Sequence, residues 1–95
     1  MAIARVFEGK GWTTDQYDKL IGQLVGQLGL APGQAAPGVL FHWAAATDDG
    51  MRAVDVYESR EAADRLVSES IGPIASELGL PLPDISEYAV HNLLR

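Results

Sequence analysis

The feature that most restricts the fold of this chain is the segment of residues 38–59, GVLFHWAAATDDGMRAVDVYES. Two mostly apolar runs flank an Asp-Gly pair, and this pattern is a strong signal for a β-hairpin. A two-residue turn at Asp48 and Asp49 places Thr47 opposite Gly50, and this pair sets the register of both strands. The predicted cross-strand pairs are Leu40–Tyr57, Phe41–Val56, His42–Asp55, Trp43–Val54 and Ala44–Ala53.

Strand and helix patterns flank the hairpin on both sides. Side chains alternate along residues 2–8, which predicts a first strand, and residues 85–92 predict a last one. Residues 13–28 and 59–78 carry apolar stripes at helical spacing. The order strand, helix, strand, strand, helix, strand predicts an α+β, ferredoxin-like fold, in which both helices cover one face of a four-stranded antiparallel sheet. We expect residues 1–95 to form one domain.

Local signals mark the ends and the interruption of the two helices. Thr13 and Gln16 have the spacing of a capping box at the start of the first helix. Ser59 is the predicted N-cap of the second helix. Gly72 and Pro73 interrupt that helix, and because proline lacks a backbone N–H we expect a kink or a break there.

The alternation of side chains gives the hairpin two unlike faces. We expect the more apolar face to pack against the helices; it carries Val39, Phe41, Trp43, Val54 and Val56. The other face is half apolar with few charges; it carries Leu40, His42, Ala44, Ala53, Asp55 and Tyr57. Such a face is usually covered, and we expect a second copy of the chain to cover it. By the same alternation the first strand adds Arg5 and Phe7, and the last strand adds Glu87, Ala89 and His91.

His42 and Asp55 form the pair with the clearest chemical potential. A carboxylate beside an imidazole fixes the tautomer of the ring and favours its protonated form. Such a pair can serve as a general acid or base, with His42 exchanging the proton and Asp55 orienting the ring. It can also be a polar contact for a ligand, or an ordinary cross-strand pair that sets register. The residues alone leave these three alternatives open.

The sequence resembles the dimeric α/β-barrel superfamily near the antibiotic-biosynthesis monooxygenase-like proteins, and among these the short uncharacterised bacterial members. The resemblance covers nearly the whole chain and rests on GWTTDQYDKL, APGVLFHWA, VDVYESREAADRL and YAVHN. It implies a homodimer that pairs through its sheet faces, with a cleft between sheet and helices or toward the barrel interior. Members include cofactor-free oxygenases of aromatic polyketides, haem-degrading enzymes, muconolactone isomerases and proteins without known activity.

This resemblance implies a small-molecule-binding protein, and we expect a cofactor-independent monooxygenase or isomerase that acts on a small aromatic or polyketide-like substrate. His42 and Asp55 would then be catalytic. The predicted ligand-binding residues are Arg5, Phe7, Leu40, Tyr57 and His91. The alternative is a non-catalytic dimer that binds a ligand or serves as a structural module.

Charge and composition narrow the range of partners and cofactors. The net charge of −6 argues against nucleic-acid binding, which needs clustered Lys and Arg. The chain has no cysteine, and its two histidines lack metal-site spacing, so we expect no metal and no other cofactor. No apolar run approaches the roughly 20 residues of a membrane helix, and no signal peptide is evident. We therefore expect a cytoplasmic protein with no membrane partner.

Overall fold

The computed structural model describes residues 1–94 and shows the predicted order of strands and helices. Its elements are β1 (Ile3–Lys10), α1 (Thr14–Leu28), β2 (Val39–Thr47), β3 (Gly50–Tyr57), α2 (Arg60–Leu66), a π-helical turn (Val67–Ile71), α3 (Gly72–Glu77) and β4 (Asp84–Ala89). The strands form one antiparallel sheet in the order β2-β3-β1-β4. This architecture is the predicted ferredoxin-like α+β fold.

The predicted hairpin register is confirmed over most of its length. Thr47 lies opposite Gly50, and His42 lies opposite Asp55. The prediction is wrong at the far end, where Val39 rather than Leu40 lies opposite Tyr57. An extra residue on β2 produces a β-bulge between Val39 and Phe41, which shifts the register at Leu40 by one residue.

The predicted helix caps are also present. The Gln16 backbone N–H donates to Thr13 Oγ1 at 3.1 Å, and the Thr13 N–H donates to Gln16 Oε1 at 2.9 Å. These two bonds complete the capping box. At the start of α2 the Ala62 N–H donates to Ser59 Oγ at 3.1 Å.

The Gly72-Pro73 interruption produces a π-helical turn rather than a break. The Gly72 N–H donates to the carbonyl oxygen of Val67, five residues earlier, in the wider π spacing. A Cβ on Gly72 would lie 2.8 Å from that oxygen, so glycine allows the close approach. Pro73 follows at the first turn of α3, where its missing N–H costs little.

The helices cover the opposite face of the sheet from the one predicted, except at Val39, which lies opposite Tyr57 and packs against the core as expected. Tyr57 is fully buried against α1 and α2, whereas Phe41 and Trp43 are 39% and 41% exposed on the outer face. The prediction took the more apolar face as the helix-covered one. The face of His42 and Asp55, which was expected to be covered by a second copy of the chain, lies under the helices instead. Asp55 is compatible with the inner face because the Tyr57 hydroxyl donates to it, and the small Ala53 leaves space beneath the helices.

The last strand is shorter than predicted. It was expected over residues 85–92, but β4 ends at Ala89, and His91 lies beyond it. His91 is therefore not on the inner face of the sheet, contrary to the prediction. Among residues 1–94, no helix is both long and apolar enough to cross a membrane.

Candidate functional site

A cavity of about 470 Å³ lies between the inner face of the sheet and the helices. Its walls are mostly apolar, with contributions from Phe7, Trp12, Leu20, Met51, Ile71 and Ile85. Three polar lining residues are joined in a chain, in which His42 contacts Tyr17 on one side and Asp55 on the other. The combination of an apolar chamber and a small convergent polar cluster is typical of a small-molecule site.

A chain of hydrogen bonds links α1 to the centre of the sheet. The Tyr17 hydroxyl lies 2.5 Å from His42 Nε2, and His42 Nδ1 contacts Asp55 Oδ1. The Tyr57 hydroxyl donates to the second carboxylate oxygen, Asp55 Oδ2, at 2.6 Å. Four side chains from one helix and two strands thus form a continuous polar network.

The carboxylate determines how the network is protonated. Asp55 is only 6% exposed, and an ionised carboxylate can only accept hydrogen bonds. His42 Nδ1 therefore carries the proton that it donates to Asp55. In the neutral ring, Nε2 is then the acceptor, and the Tyr17 hydroxyl donates to it. The ring is held in the tautomer that can take up a proton at Nε2.

Both tyrosine hydroxyls of the network stay protonated at neutral pH. Burial raises the pKa of Tyr17, and the nearby carboxylates of Asp55 and Asp18 raise it further. Burial and the adjacent Asp55 likewise raise the pKa of Tyr57. The two phenols are therefore hydrogen-bond donors at rest, with the Tyr57 proton directed at Asp55 and the Tyr17 proton at His42.

The structure brings some of the predicted site residues together and separates others. His42, Asp55 and Phe7 line the cavity. Tyr57 lies behind Asp55, fully buried, and supports the carboxylate. The cavity lining described within residues 1–94 does not include the other three predicted ligand-binding residues, which are Arg5, Leu40 and His91.

Arg5 lies on the inner face of β1, but its guanidinium is occupied by ion pairs. Its Nη2 is 2.6 Å from Asp64 of α2, and its Nε is 3.0 Å from Glu87 of β4. Arg60 also contacts Glu87, at 2.6 Å. The cluster ties α2 to the edge strand, which explains why Arg5 is not directed at a ligand.

A pH-dependent contribution to stability is expected from Glu87. Hydrogen bonds from Arg60 and Arg5 lower the pKa of Glu87 below 4.5 in the folded protein. This stabilisation is present above the unfolded pKa and is lost as the pH falls through the folded one. We expect Tm to fall less between about pH 6 and pH 3 in Glu87→Gln than in the wild type, as measured by calorimetry. Glu77→Gln, at the exposed end of α3, is the control and should keep the wild-type slope.

Tyr17 and Trp12 are the two hydrogen-bonding residues of the cavity that sequence reasoning missed. Tyr17 lies within residues 13–28, whose apolar stripe predicts a helix but does not indicate that β2 lies beneath it. The Trp12 indole donates to the carbonyl oxygen of Pro81 at 2.9 Å and joins the α1 end of the cavity to the linker before β4. Gly9 makes room for it, since a Cβ there would lie 2.7 Å from the indole ring. The available sequence signal for this packing was a glycine, Gly9, placed three residues before Trp12.

No group of three or more His, Asp or Glu side chains among residues 1–94 is arranged to hold a metal ion. In His42 both ring nitrogens already have hydrogen-bond partners. The cavity presents a hydrogen-bond network in a mostly apolar chamber, and its described lining includes no Lys or Arg.

Comparison with known proteins identifies the fold. The sequence matches no protein-family model and no curated protein. Solved structures match over almost the full length. A candidate antibiotic biosynthesis monooxygenase from Chloroflexus aurantiacus is 19% identical with a TM-score of 0.67, covering 100% of this chain and 98% of that one. Rv0793 from Mycobacterium tuberculosis is 18% identical with a TM-score of 0.64, covering both chains completely.

SnoaB, a cofactor-independent oxygenase from Streptomyces nogalater, also matches. It is 13% identical with a TM-score of 0.62, covering 98% of this chain and 94% of that one. The chain therefore has the ferredoxin-like fold of antibiotic biosynthesis monooxygenase-like proteins. At these identities the likeness concerns the fold, and chemistry has to be argued from the site.

Proposed function

We propose that this protein is a cofactor-independent monooxygenase or isomerase that acts on a small aromatic or polyketide-like molecule in the cavity. The observation that carries the proposal is the hydrogen-bonded chain of Tyr17, His42 and Asp55 within a mostly apolar chamber. Such a chamber favours an organic substrate and excludes water from a reactive anion. The similarity of this fold to that of SnoaB, a cofactor-independent oxygenase, supports the proposal.

The chemistry begins with removal of a proton from the substrate. The network accepts a proton at His42 Nε2, and Asp55 stabilises the resulting imidazolium. In the oxygenase reaction the substrate anion reacts with O₂, and the hydroperoxide formed loses water. A CH₂ group thereby becomes C=O, with one oxygen atom in the product and the other in water. In the isomerase reaction the same anion is reprotonated at another carbon.

The lining restricts the charge of the substrate. Since the described wall includes no Lys or Arg, a carboxylate or phosphate would enter without a cationic partner. A buried Asp55 and a net charge of −6 also disfavour anions. The proposed substrate is therefore neutral when it binds and acquires its negative charge only within the network.

The proposal includes a homodimer that pairs through the outer face of the sheet. Three large side chains are exposed there, Phe41 at 39%, Trp43 at 41% and Tyr88 at 59%. Val54 and Val6 lie between them in the register of β3 and β1. An apolar face of this kind on a sheet whose other face is covered indicates a protein partner. A second copy of the chain supplies a face of the same character.

A direct test incubates the purified protein with a panel of neutral phenols, naphthols and anthrones under ¹⁸O₂. We expect at least one compound to gain a single ¹⁸O atom in the presence of the protein. The same incubation without oxygen should give either no product or an isomer of unchanged mass, which separates the two reactions. Compounds that bind and return unchanged, with no product from any member, would favour the non-catalytic ligand-binding alternative.

A further inference from the structure

The hydrogen bonds of His42 leave neither ring nitrogen free for a substrate. Nδ1 donates to Asp55, which is itself held by the Tyr57 hydroxyl. Nε2 is occupied by the Tyr17 hydroxyl at 2.5 Å. The Tyr17 and His42 rings are within 5° of parallel, with their centroids 6.1 Å apart, so the hydroxyl approaches the imidazole at its edge. A substrate that reached Nε2 directly would have to displace Tyr17.

Tyr17 has the hydrogen-bonding capacity that His42 lacks. A phenolic oxygen has one proton to donate and lone pairs that accept. The proton is used on His42 Nε2, and the oxygen can still accept a hydrogen bond from a group in the cavity. Tyr17 lines the cavity from α1. His42 lines the cavity too, but its Nε2 is already bonded to the Tyr17 oxygen.

We infer that the Tyr17 hydroxyl, rather than the imidazole, exchanges the proton with the substrate, and that His42 acts through it. The inference rests on the proposed function and identifies the catalytic atom of that site. In the forward step the substrate proton moves to the Tyr17 oxygen while the Tyr17 proton moves to His42 Nε2. The electron pair of the broken bond stays on the substrate. The products are a substrate anion, a neutral tyrosine and an imidazolium paired with Asp55.

The electrostatics of the site favour this coupled transfer over a free phenolate. The raised pKa of Tyr17 means that the phenolate does not persist next to Asp55 and Asp18. Tyr17 therefore returns its proton to the network as it accepts one from the substrate. The charge ends on His42, beside the buried carboxylate that stabilises it. Asp55 and Tyr57 are positioning residues in this scheme.

The test uses 3-nitrophenol as a probe, a neutral phenol whose anion has its own absorption band and whose pKa is high enough for the measurement to be made above neutral pH. Binding is measured at a pH about one unit below the pKa of the free probe, so that the free compound is mostly neutral. We expect the wild-type protein to bind the probe as the anion. In Tyr17→Phe the amount of bound anion should fall at least about tenfold, because the phenylalanine cannot relay the proton. Tyr88→Phe, on the outer face of the sheet, is the matched control and should behave as the wild type.

The opposite result overturns the inference. If Tyr17 merely caps His42, its removal frees Nε2, and Tyr17→Phe should form as much bound anion as the wild type or more. A wild-type protein that leaves the probe at its solution protonation would also overturn it. Neither measurement depends on oxygen. If the wild type forms the bound anion but oxygenates no compound, the oxygenase proposal fails and the inference about Tyr17 stands.

A second measurement needs no variant of Tyr17. Nitrogen-15 NMR of His42 above neutral pH is expected to show a protonated Nδ1 and an unprotonated Nε2 that accepts a hydrogen bond. His91→Gln leaves His42 as the single histidine and assigns the signals. A neutral ring protonated at Nε2 would overturn the relay, since that nitrogen could not accept the tyrosine proton.

Discussion

A His42→Gln variant is expected to lose at least about 100-fold in kcat on any panel compound that the wild type converts. The glutamine amide can still donate a hydrogen bond toward Asp55, so the sheet register and the support of the carboxylate should survive. What disappears is the basic nitrogen at the end of the network that Tyr17 contacts. The substrate then has no group in the cavity of suitable basicity to accept its proton, because Asp55 is engaged by Tyr57.

The measurement is steady-state turnover of the ¹⁸O-labelled product, with circular dichroism and Tm to verify the fold. His91→Gln is the matched control. This histidine lies beyond β4 and outside the cavity, so its replacement should leave kcat within about twofold of the wild type. Full turnover by His42→Gln would rule out the proposed acid–base role and favour the interpretation of His42–Asp55 as a structural pair.

The fold was largely predictable because its signals are local. The Asp-Gly turn set the hairpin register by counting outward from the turn, and His42 opposite Asp55 followed from it. The cap at Thr13 was visible because a capping box needs only four consecutive residues. The bulge at Leu40 was not visible, since an extra residue on one strand leaves the apolar pattern of the segment unchanged.

The face that the helices cover could not be derived from the hairpin alone. Alternation shows which residues share a face, but the connections through α1 and α2 decide which face is inside. The more apolar composition of the Phe41–Trp43 face suggested the wrong answer, because the inner face contains polar groups that satisfy one another. Asp55 accepts hydrogen bonds from Tyr57 and His42, which removes the cost of burying its charge unpaired.

Only the part of the candidate site that depends on local sequence could be predicted. His42 and Asp55 are neighbours in one hairpin, so their contact follows from local register. Tyr17 is 25 residues from His42 along the chain, and only the packing of α1 over β2 joins them. Its position in an apolar stripe gave no indication of a partner. The ion pairs of Arg5 could not be predicted either, because its partners Asp64 and Glu87 lie 59 and 82 residues away along the chain.

The second large effect is expected from a substitution in the proposed dimer interface. Trp43 lies on β2, an edge strand of the sheet, opposite Val54 in the hairpin, and is 41% exposed on the outer face of the single chain. Tryptophan is enriched among the hot spots of protein interfaces. We expect Trp43→Glu to raise the dimer dissociation constant at least about 100-fold. The substitution removes a large apolar contact and places an unpaired carboxylate in a desolvated interface. Because the dimer is symmetric, both changes occur twice.

Sedimentation velocity over a range of concentrations measures this effect directly. Leu82→Glu is the control, since Leu82 is 94% exposed but belongs to the linker that borders the cavity on the helix side of the sheet. It makes the same change of charge without touching the outer face, so it should sediment as a dimer. The inner core around Tyr57 does not include Trp43, and the Trp43→Glu monomer should therefore remain folded. A wild type that is monomeric, or a Trp43→Glu variant that dimerises as tightly as the wild type, would contradict pairing through this face. The exposed Phe41 and Tyr88 would then need a different partner.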